Sequence, residues 1–114
     1  MRSKKTTCLE QCPVQRTADL IEGKWTLVIV RDLLGGPKRY AELRDSVGEI
    51  SPRMLAMRLQ HLTGSGIVSR KVIPTIPPGT EYALTQLGLE LQPLIAAMAQ
   101  FGLRVAAAEA AQGF

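Results

Sequence analysis

Two short helical patterns lie three to four residues apart in the middle of the chain, and this spacing restricts the fold more than any other feature. The first spans residues 40–47 and is followed by Gly48, a suitable residue just beyond a helix C-terminus. The second begins with Ser51 as N-cap and Pro52 in its first turn, and it ends near Gly64. This spacing across a glycine-containing turn is typical of a helix-turn-helix. On these residues alone, an ordinary helical hairpin inside an all-α protein fits equally well.

The segment that follows decides between these two folds. Residues 67–73 are rich in β-branched side chains, and residues 74–79 (PTIPPG) must turn because their prolines exclude a helix. Residues 80–84 then return as a second strand. A helix-turn-helix followed directly by a β-hairpin is a winged helix. The sequence therefore predicts a mostly α fold with a small β-hairpin, in the form of a winged helix-turn-helix.

Further helices are predicted on both sides of this motif. Pro13 suits the first position of an N-terminal helix, and residues 24–34 form an apolar helix that should be buried. Thr85 caps a long apolar helix that Pro93 should kink. We expect a flexible N-terminal tail over residues 1–11, one winged helix-turn-helix domain with its flanking helices over residues 12–105, and a C-terminal tail over residues 106–114.

The two terminal helices carry more apolar side chains than a single domain of 114 residues can cover. We therefore expect them to form the two-fold interface of a homodimer. The residues assigned to this interface are Val14, Leu20, Leu94, Ile95, Met98, Phe101, Leu103 and Val105.

Positive charge is concentrated in the middle of the chain. The net charge is +4, and residues 50–80 contain no Asp or Glu but include Arg53, Arg58, Arg70 and Lys71. Such a one-sided distribution is typical of a surface that binds a polyanion. Aromatic residues make up only 4% of the chain, so the stacking platforms that bind single-stranded nucleic acid are largely missing. Double-stranded DNA is the expected partner.

The second helix of the motif has two chemically different sides. At about 100° per residue its leucines fall within an arc of about 60°, and small, polar and cationic residues lie roughly opposite. This arrangement suits insertion into the major groove, where Arg53 would pair with guanine, Gln60 with adenine, and Met57 would pack on a thymine methyl group. The alternative is a solvated helix surface without a partner. The leucines are Leu55, Leu59 and Leu62, and the opposite side carries Arg53, Met57 and Gln60 with Ala56 at its edge.

Other residues are predicted to contact the DNA backbone. Ser51 places its hydroxyl and nearby backbone N–H groups at the start of the second helix, where a phosphate can bind, and Pro52 follows it there. Lys38 and Arg39 precede the first helix of the motif, and Lys71 lies in the hairpin. All five are candidates for positioning contacts that carry no base specificity.

Two arginines allow a structural interpretation beside the DNA-binding one. Arg58 lies nearer the apolar side of its helix and either contacts a phosphate or pairs with Glu42; the sequence does not separate the two. Arg70 contacts the DNA backbone or, in the interpretation that we favour, pairs with Glu81 across the hairpin.

An ordered set of short motifs, covering roughly residues 8–102 without gaps, resembles the HxlR-type winged-helix regulators. The resemblance implies a dimeric, DNA-binding bacterial transcription factor, which we expect to be a cytoplasmic repressor with half-sites about one DNA turn apart. The sequence departs from the family pattern at two points. Gly79 stands where relatives usually carry Arg or Lys after the proline pair, and the second, C-terminal cysteine that some relatives use has no counterpart. The matching residues are Cys12-Pro13-Val14, 23–27 (GKWTL), 36–43 (GPKRYAEL), 50–55 (ISPRML), Arg58, Leu59, Leu62, 66–68 (GIV), Arg70, Val72, Pro77, 81–85 (EYALT) and 87–88 (LG).

Cys12 is the candidate regulatory thiol. It precedes Pro13 at the start of the first helix, where the partial positive charge of the helix end and the nearby Arg16 favour the reactive thiolate. Cys8 is the candidate resolving partner. The alternative is that Cys12 packs as a small apolar residue. Some relatives respond to electrophiles, quinones or oxidants through a cysteine at the matching position, so the resemblance implies that modification of Cys12 changes DNA affinity.

Other classes of function find little support in the sequence. An enzyme using Cys12 as nucleophile would need a base, yet His61 lies on a different functional element and no phosphate-binding loop is present. Two cysteines and one histidine do not supply four metal ligands, and no cofactor is expected. No stretch is expected to span a membrane, and the low cysteine content indicates a reducing cytoplasm. The remaining alternative is a winged helix that binds proteins and not DNA.

Overall fold

The structure, a computed structural model, describes residues 12–112; the predicted N-terminal tail, with Cys8, lies outside the described residues. Six helices and three strands occur within residues 12–112. They are α1 (Pro13–Leu20), α2 (Thr26–Leu33), β1 (Lys38–Arg39), α3 (Tyr40–Val47), α4 (Pro52–Gly64), β2 (Val68–Ile73), β3 (Gly79–Leu84), α5 (Gln86–Leu89) and α6 (Gln92–Ala111).

The helix-turn-helix consists of α3 and α4, as the sequence predicts. Gly48 ends α3 with a φ of +98°, a backbone conformation that favours glycine. Ser51 caps α4 because its Oγ accepts a hydrogen bond from the Met54 N–H at 3.1 Å, and Pro52 occupies the first turn. The turn between the helices is therefore fixed by local chemistry at both of its ends.

One aliphatic core holds α2, α3 and α4 against the sheet. Ile29 and Val30 of α2 and Leu43 of α3 are fully buried, and they belong to the same cluster as the leucine side of α4. Thr26 is buried as well, and its hydroxyl donates to the Glu22 carbonyl at 2.7 Å. α4 is thus anchored by apolar packing that uses only one of its sides.

The sheet has three strands and not the two of a simple hairpin. β2 and β3 pair antiparallel from Val68 opposite Leu84 to Ile73 opposite Gly79. β1 adds to the other edge of β3, giving the order β1-β3-β2. A two-residue strand has no readable alternation, and its partner lies more than 40 residues away, which is why the sequence did not reveal it. The fold class is confirmed, with this extra strand.

The predicted single C-terminal helix kinked at Pro93 is wrong. The chain forms α5 first, in which Thr85 Oγ accepts from the Gly88 N–H at 3.0 Å, and then starts again as α6. Pro93 lies in the first turn of α6, where its missing N–H removes no helical hydrogen bond. Gly88 packs so closely on the β2 side that a Cβ would overlap the Ile67 carbonyl.

α6 is an apolar helix that packs little of its surface on the rest of the chain. It continues through Ala111, across most of the segment expected to be a C-terminal tail, and none of its residues is buried. Taken together, α5 and α6 (Gln86–Ala111) are long and apolar enough to cross a membrane by length and composition alone, in contrast to the expectation from the sequence. This is the one such segment within the described residues. The uncovered surface of α6 therefore calls for an explanation.

Candidate nucleic-acid interface

α4 presents its predicted major-groove side to solvent. Arg53, Ala56, Met57 and Gln60 are all exposed, whereas the leucines on the other side are at most 2% exposed. The backbone of the helix is therefore held by the core, and the long polar side chains extend from a fixed support. This is the placement that the sequence predicts for these four residues.

The start of α4 has the features of an anion-binding site. Its first turn contains no acidic residue, so no carboxylate neutralises the partial positive charge of the helix end. The Ser51 oxygen already accepts from Met54, but the hydroxyl proton stays available for an acceptor outside the protein. Pro52 adds no N–H of its own, so it contributes shape and backbone conformation there.

The wing cations are distributed differently from the prediction. Arg39, Arg70 and Lys71 are exposed, and Lys38 is half-buried. The predicted pair between Arg70 and Glu81 is wrong, because the register places Lys71 opposite Glu81 and Arg70 opposite Tyr82. A shift of one residue moves a strand side chain to the other face of the sheet, and the sequence of this hairpin does not fix its register.

Arg70 consequently lies on the face of the sheet that adjoins α4. It lines a groove together with Gln60 and Ala56 of α4, and with Tyr40 at the start of α3. The groove brings one predicted base-reading residue and one predicted backbone contact to the same surface. Tyr40 was not predicted as part of this surface, because a half-buried tyrosine at a helix start is indistinguishable by sequence from a core residue.

Arg58 does not pair with Glu42, and its contact with a DNA phosphate stays a prediction. Its guanidinium packs against the α1–α2 turn, with Cζ 2.5 Å from the position that a Cβ on Gly23 would take. The Arg58 Nε is buried without a hydrogen-bond partner, and Glu42 instead accepts from the Arg39 backbone N–H at 2.6 Å. The pairing of Arg58 with Glu42 is therefore wrong. Gly23 has a φ of +108° and no side chain, so it leaves space for the guanidinium.

His61 joins α4 to the first helix. The residue is exposed, as expected for the flank of α4, and its Nε2 lies 2.8 Å from the carbonyl oxygen of Leu20 at the end of α1. Together with Arg58, this contact ties the outer side of α4 to the segment that begins at Cys12. No local sequence pattern indicates this contact, because the two partners are 41 residues apart.

Cys12 occupies the N-cap position of α1, as predicted, and is a half-buried free thiol. It makes no side-chain capping hydrogen bond. The resolving role of Cys8 remains a prediction, since that residue is outside the described part of the chain. No group of three or more His, Cys, Asp or Glu able to hold a metal ion occurs within residues 12–112.

Residues 20–110 match the family described as HxlR-like helix-turn-helix. An uncharacterized HTH-type transcriptional regulator from Synechocystis is 41% identical over 91 residues, which are 80% of this chain and 67% of that protein. Among solved structures, the oxidized form of the redox regulator HypR superposes with a TM-score of 0.76 at 39% identity, covering 82% of this chain and 96% of the other.

A second solved structure supports the same relationship. The reduced form of the transcriptional regulator YodB from Bacillus subtilis superposes with a TM-score of 0.70 at 36% identity, covering 80% of this chain and 90% of the other. The family match, the helix-turn-helix of α3 and α4, and the three-stranded wing agree with one another. This chain belongs to the HxlR-like helix-turn-helix family of transcriptional regulators.

Proposed function

We propose that the protein is a cytoplasmic repressor that binds a pseudo-palindromic operator as a homodimer and is not an enzyme. The observation that carries the proposal is the division of α4, whose apolar side is buried in the core while its cationic side is open to solvent. α4 enters the major groove, since a helix of this size fits there and base edges can be distinguished from that side.

The exposed residues of α4 divide the work of recognition. Arg53 pairs with a guanine and Gln60 with an adenine, each through two hydrogen bonds that discriminate by about 1–3 kcal/mol. Met57 packs on a thymine methyl group, and Ala56 is small enough to let the helix approach the base edges. Ser51, beside Pro52, binds a phosphate at the start of the helix.

Residues of the sheet hold the DNA backbone around this helix. Arg39 and Lys71 are exposed and bind phosphates, Arg70 contributes from the groove beside Gln60, and Lys38 assists from its half-buried position. These contacts set register and orientation but do not read sequence. Arg58 acts differently: it packs on the α1–α2 turn and fixes the position of α4.

The homodimer rests on the apolar surface of α6 and α1. At about 100° per residue, Leu94, Met98, Phe101 and Val105 fall within about 60° of one another and form what we call the apolar stripe. Leu94 also lines a groove with Val14, Ala18 and Ile21. A second copy of the chain covers this surface. Leu103, which the sequence also assigned to the interface, lies on the opposite side of α6.

Cys12 makes DNA binding responsive to electrophiles or oxidants. It occupies the N-cap position of the helix whose next residues, Pro13 and Val14, line the groove beside α6, so a modified thiol disturbs the dimer contact. The proposal is also supported by two similar proteins: HypR is a redox regulator, and the structure of YodB is of its reduced form.

The DNA-binding proposal is tested by selecting bound duplexes from a random pool and measuring affinity by fluorescence anisotropy. Arg53→Ala should weaken binding to the selected operator by about 1–3 kcal/mol without a change in thermal unfolding, because the removed side chain is exposed. Arg31→Ala, the same change on α2, is the matched control. A variant that binds as tightly as wild type would remove Arg53 from the contacts. A wild-type protein that binds no duplex would favour the protein-interaction alternative.

The thiol proposal is tested with diamide, comparing wild type with Cys12→Ser and Cys8→Ser. Wild type should lose operator affinity on treatment, and Cys12→Ser should keep it. If Cys12→Ser still loses affinity while Cys8→Ser does not, the sensing residue is Cys8. A wild-type protein that is insensitive to diamide and to quinones would contradict the regulatory thiol altogether.

A further inference from the structure

The guanidinium of Arg39 lies over Gly79 at the end of the hairpin. Its Nη1 is 2.9 Å from the position that a Cβ on Gly79 would take, and its Cδ and Cζ are each 3.6 Å from that position. The side chain therefore reaches diagonally from β1 across the face of β3, since Arg39 itself pairs with Glu81, two residues further along. The space that it uses exists because residue 79 has no side chain.

The backbone gives no reason for glycine at this position. Gly79 is the first residue of β3 and pairs with Ile73, and it is not among the glycines with positive φ. An alanine could adopt the same conformation. Its Cβ would meet the far end of one flexible side chain, which can move away without disturbing the fold. What a substitution would change is the place of the Arg39 guanidinium.

This contact adjoins the DNA-binding surface. Arg39, Tyr40, Ala41, Pro78, Gly79 and Thr80 line a groove that we call the wing groove. Tyr40 also lines the neighbouring groove that contains Gln60 and Arg70, so the two grooves share this one residue. Arg39 is exposed, and within residues 12–112 it forms no ion pair with Glu81. Its charge is thus directed to the solvent side.

We propose that Gly79 is a positioning residue for DNA binding: it keeps the wing groove open so that Arg39 is held where it binds a backbone phosphate. The inference rests on the proposed function. A planar guanidinium binds a phosphate through two parallel hydrogen bonds, and this geometry depends on where the side chain is held. A side chain at position 79 displaces Arg39 and removes that contact while the protein stays folded.

The test measures operator affinity against salt for Gly79→Ala, Arg39→Ala and the double variant. Each single variant should lose one phosphate contact. The negative slope of log affinity against log salt should therefore become shallower by about 0.9. The double variant should bind like Arg39→Ala alone, because Gly79 acts only through Arg39. Thermal unfolding should be unchanged for Gly79→Ala. Gly64→Ala is the matched control, since no atom lies within 4 Å of its Cβ position.

The outcomes separate the inference from the function on which it rests. If wild type binds the operator and Gly79→Ala keeps the wild-type slope, the inference is wrong and the proposed function stands. If Gly79→Ala weakens binding equally with Arg39 present or absent, the glycine acts independently of Arg39 and the inference is again wrong. A wild-type protein without salt-dependent duplex binding overturns both.

Discussion

α4 and α6 both leave much of their surface uncovered, but the uncovered surfaces are chemically opposite. α4 buries three leucines and exposes cationic and polar side chains, whereas α6 buries none of its residues and exposes mainly apolar ones. The polar side of α4 is stable in water without a partner. The apolar side of α6, in contrast, is stabilised when another apolar surface covers it.

The difference separates two parts of the DNA-binding activity. The proposed reading surface of α4 lies within one chain, because the core fixes that helix. In the proposed homodimer, the distance between the two α4 helices would depend on how α6 and α1 meet a second copy. A regulator built in this way can change operator affinity without altering α4, by changing how the two copies are held. The comparison can be tested by making similar changes on both helices.

The largest expected effect comes from truncating one leucine on each helix. Leu59 of α4 is 2% exposed and Leu103 of α6 is 67% exposed. Leu59→Ala should lower the free energy of unfolding by about 2–5 kcal/mol, because it leaves a cavity in the core. Leu103→Ala should change it by less than about 0.5 kcal/mol. Denaturant unfolding measures both changes. Similar losses at the two positions would show that Leu103 is buried by packing, and would contradict the exposure of α6.

A smaller effect is expected from placing a charge in the apolar stripe. Phe101 is 64% exposed, so Phe101→Glu should leave the monomer folded. It should raise the dimer dissociation constant at least about 100-fold, or about 2.8 kcal/mol, since the carboxylate would lose its hydration at the interface. Sedimentation velocity across a concentration series measures this shift. Gln100→Glu is the control, because Gln100 is adjacent to Phe101 in the chain but lies off the apolar stripe.

If Phe101→Glu sediments like wild type at every concentration, the apolar stripe is not the dimer interface. If the control dissociates to the same extent, the effect is one of net charge and not of position. Either result would remove the contrast between α4 and α6.

Features that depend on neighbouring residues could be predicted from the sequence. The bounds of α3 match the predicted residues 40–47, and Ser51 caps α4 as expected, because caps, prolines and glycines act over three or four residues. The leucine side of α4 follows from helical periodicity alone. These local signals were enough to predict the motif and the orientation of its reading helix.

Features that depend on distant contacts could not be predicted in this way. β1 pairs with a strand more than 40 residues away, and the register that separates Arg70 from Glu81 is set by packing of the whole sheet. Arg58 turns toward Gly23, a contact that no local pattern indicates. By sequence alone, Gly79 is a position where a cation of the relatives is missing, whereas in the fold it makes room for the guanidinium of Arg39.

The smallest expected effect concerns Lys71, whose position opposite Glu81 allows two different outcomes. Lys71→Ala should lower the salt slope of operator binding by about 0.9 if the ammonium group binds a phosphate, and leave it unchanged if the neighbouring carboxylate holds that group. We expect the lower slope, because Lys71 is exposed and Glu81 is only partly so. Glu81→Gln is the control: it removes the competing charge and should strengthen binding only while Lys71 is present. An unchanged slope for Lys71→Ala would leave α4, Arg39 and Arg70 to hold the DNA backbone. On the face of the sheet that points away from α4, the charge would then come from Arg39 of β1 and not from β2.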